Sequence, residues 1–354
     1  MYAAETTYEL PSDRSVFFNA LSLTGWNISM PTVVITDYEF PDLEMETAIF
    51  EDAGVEVVTT QADSPEDVIK VASKVEADAL LVQYAQITSA VFDALDNLTV
   101  VAKYGIGTDN IDLKSATKHG VRILNVPDYC QDEVAEHALG LMLSCERKFS
   151  RFDAAVKSGT WDWKVGKPIH RLTNSTVGVV GCGRIGSTFV EKTRGFEFEV
   201  LGHDPNVSDK TVQERGFKPT GFEDLLERSD VVTVHVPLDD KTEEMFDAAA
   251  FKRMRSDAIL VNTSRGAVVD TNALADALDG GELRGAGLDV LPEEPPDNSP
   301  LLTHDDVVLT PHVAWYSEDS FVDLRESVAT DISRVLTGQS PKNIVNTAVT
   351  ESCE

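Results

Sequence analysis

Positive charge is scarce in this sequence beside negative charge. Its 354 residues carry 30 Lys and Arg against 60 Asp and Glu, a formal net charge of −30. So anionic a surface repels phosphate backbones, which excludes nucleic acid as a partner. The acids are spread along the chain and not gathered in a tail, so an acidic disordered arm does not account for them. A salt-rich cytoplasm, whose counter-ions screen the self-repulsion, does account for them, and a halophilic protein is expected. Long apolar runs are also missing. None reaches the roughly 18 residues of a membrane span, so no membrane partner is expected. Cysteine is confined to Cys130, Cys145, Cys182 and Cys353, without paired ligand spacing. That favours reduced cytoplasmic thiols over a disulfide framework and argues against a metal site. Residues 1–29 hold one basic residue, Arg14, among Glu5, Glu9 and Asp13, which is no secretory leader. They are expected to lie outside the fold.

What is present is an alternation, over a length that suits two domains. Short β-branched runs (TVVIT 32–36, VEVVT 55–59, ALLVQ 79–83, TVVAK 99–103, VRILN 121–125) are separated by amphipathic stretches. One of these opens with Ser64 as a cap and Pro65 behind it. Continuous apolar runs between helices predict a parallel sheet covered on both faces, an α/β fold. A long helical stretch is expected over 132–157, then a second alternation with strands at 176–180, 198–204, 230–236, 258–262, 285–290 and 306–310. A final helix is expected over 318–336. The order is half a domain, a complete inserted domain, and a return, with crossings near 127–133 and 311–317 acting as a hinge. The expected boundaries are 30–128 with 315–354 for one doubly wound domain and 129–314 for the other.

The second alternation opens with VGVVGCGRIG, a strand running into a glycine-rich turn and a helix. That context turns a weak pattern into a dinucleotide cradle. Gly181 permits the tight turn, Gly183 lets a pyrophosphate approach the backbone, and Gly186 lets the helix pack on the strand. The helix N-terminus adds unpaired N–H groups and a partial positive charge. Asp204 ends the next strand, placed to accept from both ribose hydroxyls. Residues 205–208 supply no arginine for a 2′-phosphate, so NAD is favoured over NADP. His203 and His235, at strand ends, are expected to line the cofactor.

Three further motifs follow in order: VNTSRG with Arg265, GLDVLPEEP with Glu294, and LTPHVAW with His312. A guanidinium binds a carboxylate through a two-pronged fork, which suits Arg265 to a 2-oxo acid. Gly105, Ile106 and Gly107 could add backbone N–H donors. An imidazole such as His312 can give a proton to a developing alkoxide or take it back, and a neighbouring carboxylate favours the protonated ring. Glu294 is the expected partner, with Glu293 its competitor. There is no G-x-S-x-G nucleophile motif, so Ser264 reads as a cofactor contact. His137 reads as a structural residue within EVAEHALG.

With GIGTDNID, NVP, EVAEHALG, GCGRIG, HVPL, NTSRG, LDV-x-x-EEP and TPH in place, the chain resembles the D-isomer-specific 2-hydroxyacid dehydrogenases over about residues 31–346. Within them, TPHVAWYSE followed by LRE is most similar to the C-terminal-binding-protein branch. The resemblance implies a flavodoxin-like substrate domain interrupted by a Rossmann NAD domain, reversible reduction of a 2-oxo acid to the D-2-hydroxy acid, and homodimers built through the NAD domains. It implies that Arg265 binds substrate, Glu294 is the acid of the triad and His312 the proton donor. It further implies cofactor contacts from Arg184, Ile185, Asp204, Thr263 and Asp289; Val236 and Pro237, which follow His235, are candidate cofactor contacts with it. Trp315 would line the substrate pocket or pack the hinge. A phosphoglycerate dehydrogenase and an NAD(H)-sensing scaffold stand as alternatives at this point.

Overall fold

The β-branched runs form two all-parallel sheets in a computed structural model that describes residues 30–351. The expected extension at 1–29 and Cys353 lie outside the described residues. The first sheet comprises β1 (Thr32–Ile35), β2 (Glu56–Thr59), β3 (Ala79–Val82), β4 (Val100–Lys103) and β5 (Arg122–Leu124). Its order is β2-β1-β3-β4-β5, the flavodoxin-like arrangement. Helices α1 (Glu44–Asp52), α2 (Pro65–Lys74), α3 (Ser89–Ala94) and α4 (Leu113–Lys118) connect these strands. Ser64 caps α2 by accepting from the Asp67 N–H, with Pro65 in the first turn, as the sequence predicts. β1 and β3 are buried along their whole length, which is why neither alternates polar and apolar residues.

The second sheet comprises β6 (Thr176–Val180), β7 (Glu199–His203), β8 (Lys218–Pro219), β9 (Val231–Val234), β10 (Ile259–Asn262), β11 (Gly285–Leu288) and β12 (Val307–Leu309). Its order is β12-β11-β10-β9-β6-β7-β8. Counted from its own first strand, this is the 3-2-1-4-5-6 Rossmann order with one strand added. The switch point falls between β6 and β9. Only β8 escaped the sequence reading, because two residues ending in proline carry no strand pattern.

The helix expected over 132–157 is two helices, α5 (Gln131–Arg147) and α6 (Phe149–Lys157). They break at Lys148, which is buried and left-handed at φ 56°. Its Nζ lies 2.8 Å from Asp306, and Glu146, just before it, meets Arg284 at 2.5 Å. These buried charges tie the end of α5 to the strands beneath, and the backbone turns to satisfy them. The helices that follow are α7 (Arg184–Thr193), α8 (Asp209–Glu214), α9 (Phe222–Arg228), α10 (Ala248–Arg253), α11 (Thr271–Asp279), α12 (Glu318–Leu336) and α13 (Ala348–Glu351). One face of the second sheet packs on Leu225, Phe246, Phe251 and Leu274, the other on Ala138, Met142 and Phe189.

The chain divides into two units. Among the described residues, one holds 30–102, 112–124 and 329–351; the other holds 103–111 and 125–328. The loop after β4 therefore belongs with the second sheet.

Candidate active site

The glycine turn has the geometry its sequence demands. Gly181 sits at φ 98°, and a Cβ there would strike the His235 carbonyl. A Cβ on Gly186 would strike the carbonyl of Gly181, so helix α7 packs this closely only with glycine. Around Gly183 nothing lies within 4 Å of a Cβ position. The space a pyrophosphate needs, in front of the first turn that Arg184 and Ile185 begin, is thus open. Asp204 Oδ2 accepts from the Cys182 N–H at 3.0 Å, and its Oδ1 accepts from Asn206 at 2.9 Å. Carboxylate oxygens take more than one donor, so the ribose assignment remains open to Asp204.

Two polar atoms near these strand ends are buried without partners, Thr263 Oγ1 and His235 Nδ1. Burial pushes the His235 ring down to about 4, so it is neutral at physiological pH. Val236 and exposed Pro237 follow it, Val236 close against Gly181. These features fit a bound dinucleotide. His203 is engaged elsewhere, its Nδ1 3.2 Å from the Thr220 carbonyl and its ring against Phe222. Ser264 donates through both N–H and Oγ to Asn262 Oδ1.

Arg265 is held by two acceptors. Its Nε donates to Asp109 at 2.6 Å and its Nη1 to the Ser264 carbonyl at 2.7 Å. Its Nη2 lies where a Cβ on Gly107 would stand, so glycine at 107 makes room for the guanidinium. The carbonyls of Gly105 and Ile106 accept from Val126 N–H and Asn125 Nδ2. Among the described residues, the N–H groups of Gly105, Ile106 and Gly107 have no acceptor.

His312 Nδ1 lies 2.6 Å from Glu294 Oε2, and the Leu291 N–H donates to the other Glu294 oxygen at 2.9 Å. Burial alone would raise the Glu294 carboxyl. The hydrogen bond and charge of His312, the Leu291 N–H and the Arg265 guanidinium outweigh it and hold the carboxyl below its usual range. Arg265, Glu294 and His312 therefore share one electrostatic neighbourhood. Glu293 does not compete for His312.

Asp289 is turned inward. Only 2% exposed, it accepts from Thr310 Oγ1 (2.6 Å), Val313 N–H (2.9 Å) and Ala314 N–H (2.9 Å). Its own carbonyl accepts from the His312 N–H at 2.7 Å. It thus holds the turn that presents His312, a role its motif did not suggest. His137 Nε2 lies 2.9 Å from Thr310 Oγ1 and 3.5 Å from Asp289, so this helical histidine braces the same turn. Trp315 donates its Nε1–H to the His312 carbonyl at 3.0 Å and packs with Tyr129, Ile106 and Ile185 over Cys130, Val134 and Ala314. Sequence reasoning also missed Arg215, whose Nη1 donates to the Cys182 carbonyl at 2.5 Å. Nothing in the linear pattern ties it to the cradle.

The model for the NAD-binding domain of D-isomer specific 2-hydroxyacid dehydrogenases matches residues 139–314. The chain is 36% identical over 319 residues to a D-3-phosphoglycerate dehydrogenase of Methanocaldococcus jannaschii, covering 90% of this chain and 60% of that protein. It is 35% identical over 331 residues to a glyoxylate reductase of Pyrococcus horikoshii, covering 90% of this chain and 97% of that one. Among solved structures it resembles D-lactate dehydrogenase from Aquifex aeolicus complexed with NAD and lactic acid. That likeness has a TM-score of 0.80 at 28% identity over 89% of this chain and 99% of the other. The chain belongs to the D-isomer specific 2-hydroxyacid dehydrogenase family and carries its NAD-binding domain. It spans 60% and 55% of the length of the two archaeal phosphoglycerate dehydrogenases it matches.

Proposed function

We propose that this protein reversibly reduces a 2-oxo acid to the D-2-hydroxy acid with NADH. The observation that carries the reading is the 2.6 Å contact between Glu294 and His312 within electrostatic reach of Arg265. When bound, the nicotinamide supplies the hydride in reduction and takes it up in oxidation. Arg265, oriented by Asp109, binds the substrate carboxylate, helped by the N–H groups of Gly105, Ile106 and Gly107. Ionised Glu294 keeps the proton of His312 on Nδ1, which directs Nε2 to the substrate oxygen. There His312 donates a proton in reduction and accepts it in oxidation. Gly181, Gly183, Arg184, Ile185 and Gly186 cradle the pyrophosphate. Asp204 takes the ribose hydroxyls and so prefers NAD to NADP. His235, Val236, Pro237, Thr263 and Ser264 complete the cofactor surface, with Asp289 as its support.

The aromatic wall of Trp315 and Tyr129 favours an apolar side chain on the oxo acid and supports placing the chain near the C-terminal-binding-protein branch. In this reading residues 129–314 form the cofactor domain, and 30–128 with 315–354 the substrate domain. Phe149, Trp161 and Trp163 are 58%, 89% and 67% exposed, apolar surface that supports assembly as a homodimer. The charge of −30 supports a halophilic, cytoplasmic enzyme. A panel of 2-oxo acids with NADH, in high salt, tests the activity. Faster consumption of acids with branched apolar side chains than of glyoxylate is expected. Tight NADH binding with no substrate consumed would overturn it in favour of an NAD(H)-sensing scaffold.

A further inference from the structure

Two opposite charges grip the same residue of the phosphate cradle. Asp204 accepts from the N–H of Cys182 at 3.0 Å, and Arg215 donates to the carbonyl of Cys182 at 2.5 Å. Arg215 comes from the end of α8, eleven residues beyond Asp204, where the chain turns through Gly216 at φ 95°. Among the described residues Arg215 pairs with no carboxylate, Asp204 included, although the chain carries two acids for every base. One of its five N–H donors is used, and the rest of the fork is available.

In doubly wound folds an acid at the end of the second strand takes the ribose hydroxyls, and an arginine nearby takes a 2′-phosphate. The segment directly after Asp204 has no arginine. The structure brings one to the cradle from the following helix. We propose that Arg215 is a specificity-determining residue, a 2′-phosphate acceptor already in place that the carboxylate of Asp204 keeps silent. A phosphate brought beside Asp204 meets like charge, and its attraction to Arg215 is cancelled. With the carboxylate gone, the guanidinium is free of that competing charge and meets phosphate through its fork. Until then Arg215 serves the cradle by fixing the Cys182 carbonyl. The inference rests on the assignment of Asp204 to the ribose.

Calorimetric titration with NADH and with NADPH tests it without recourse to turnover, using the wild type, Asp204→Ser, Asp204→Ser/Arg215→Gln and Asp204→Ser/Arg215→Lys. NADPH is expected to bind Asp204→Ser about tenfold or more tightly than wild type, the range of a charged hydrogen bond. Adding Arg215→Gln should abolish that gain, and Arg215→Lys should keep part of it. Thermal melts identify any variant that fails to fold, and the lysine variant carries the test if the glutamine one does. No NADPH gain in Asp204→Ser, or a gain that survives Arg215→Gln, overturns the role of Arg215. Unchanged NADH affinity in Asp204→Ser overturns instead the ribose assignment beneath it.

Discussion

Glu294 meets His312 at 2.6 Å across a turn in which His312 itself takes the left-handed backbone conformation, φ 51°. A residue with a Cβ enters that region at a cost of about 1 kcal/mol or more, so the surroundings must enforce it. They do: the His312 N–H is bound to the Asp289 carbonyl, and the next two N–H groups are bound to the Asp289 carboxylate. Buried Asp289 fixes the backbone, and the backbone aims the imidazole at Glu294. The Glu294–His312 pair depends on a third residue that touches neither ring nor carboxylate.

His312→Ala should lower the rate of 2-oxo acid reduction by about a hundredfold or more, the usual worth of a positioned acid or base. NADH affinity should stay within about twofold, because the ring does not hold the cofactor. Stopped-flow turnover beside fluorescence titration measures both, and normal turnover removes His312 from the mechanism.

Asp289→Ala should destabilise the protein by about 2 kcal/mol, since it strands the buried Ala314 N–H and the half-buried Val313 N–H. The same change should reduce kcat, because the turn that carries His312 is no longer held. Urea unfolding and steady-state kinetics check the two effects. A stable, fully active variant would show that the turn does not need Asp289.

Gly107→Ala places a methyl where the Arg265 Nη2 lies. The guanidinium must move, so KM for the oxo acid should rise about tenfold or more while NADH affinity is unchanged. An unaltered KM would mean that Arg265 does not anchor the carboxylate from this position.

His235 gives a pH dependence of stability. Burial lowers it to about 4 in the fold, whereas an unfolded histidine titrates near ~6.5. Between these values the unfolded chain binds a proton that the folded one rejects, so stability falls as pH drops through that window. At pH 5 the loss from this residue should be about 2 kcal/mol. Urea midpoints at pH 7 and pH 5 should fall less in His235→Gln than in the wild type. Equal losses in the two would contradict the neutral, buried ring.

The charge of −30 predicts a salt requirement. Dialysis from molar salt into dilute buffer should lower the melting temperature or unfold the protein as screening is lost. Circular dichroism follows it, and a melting curve indifferent to salt would end the halophilic reading.

Much of this was legible in one dimension because it is local. An apolar run buried on both faces, a cap such as Ser64 and a turn such as that at Gly181 are written in neighbouring residues, where backbone sterics and burial act. The motifs with Arg265, Glu294 and His312 stand out as candidates for the same reason: the chemistry they offer belongs to the residue types. The chain alone thus determined two parallel α/β sheets, the glycine turn between β6 and α7, and which side chains were candidates for the site. Tertiary structure decided what depends on residues far apart in sequence. It broke the long helix at Lys148 with charges from Asp306, turned Asp289 beneath residues 310–314, and braced that turn with His137. It opened space at Gly107 for Arg265 and carried Arg215 to Cys182. Hydrogen bonds and ion pairs form wherever the packed sheet brings donor and acceptor within about 3 Å, and sequence distance sets no limit on that.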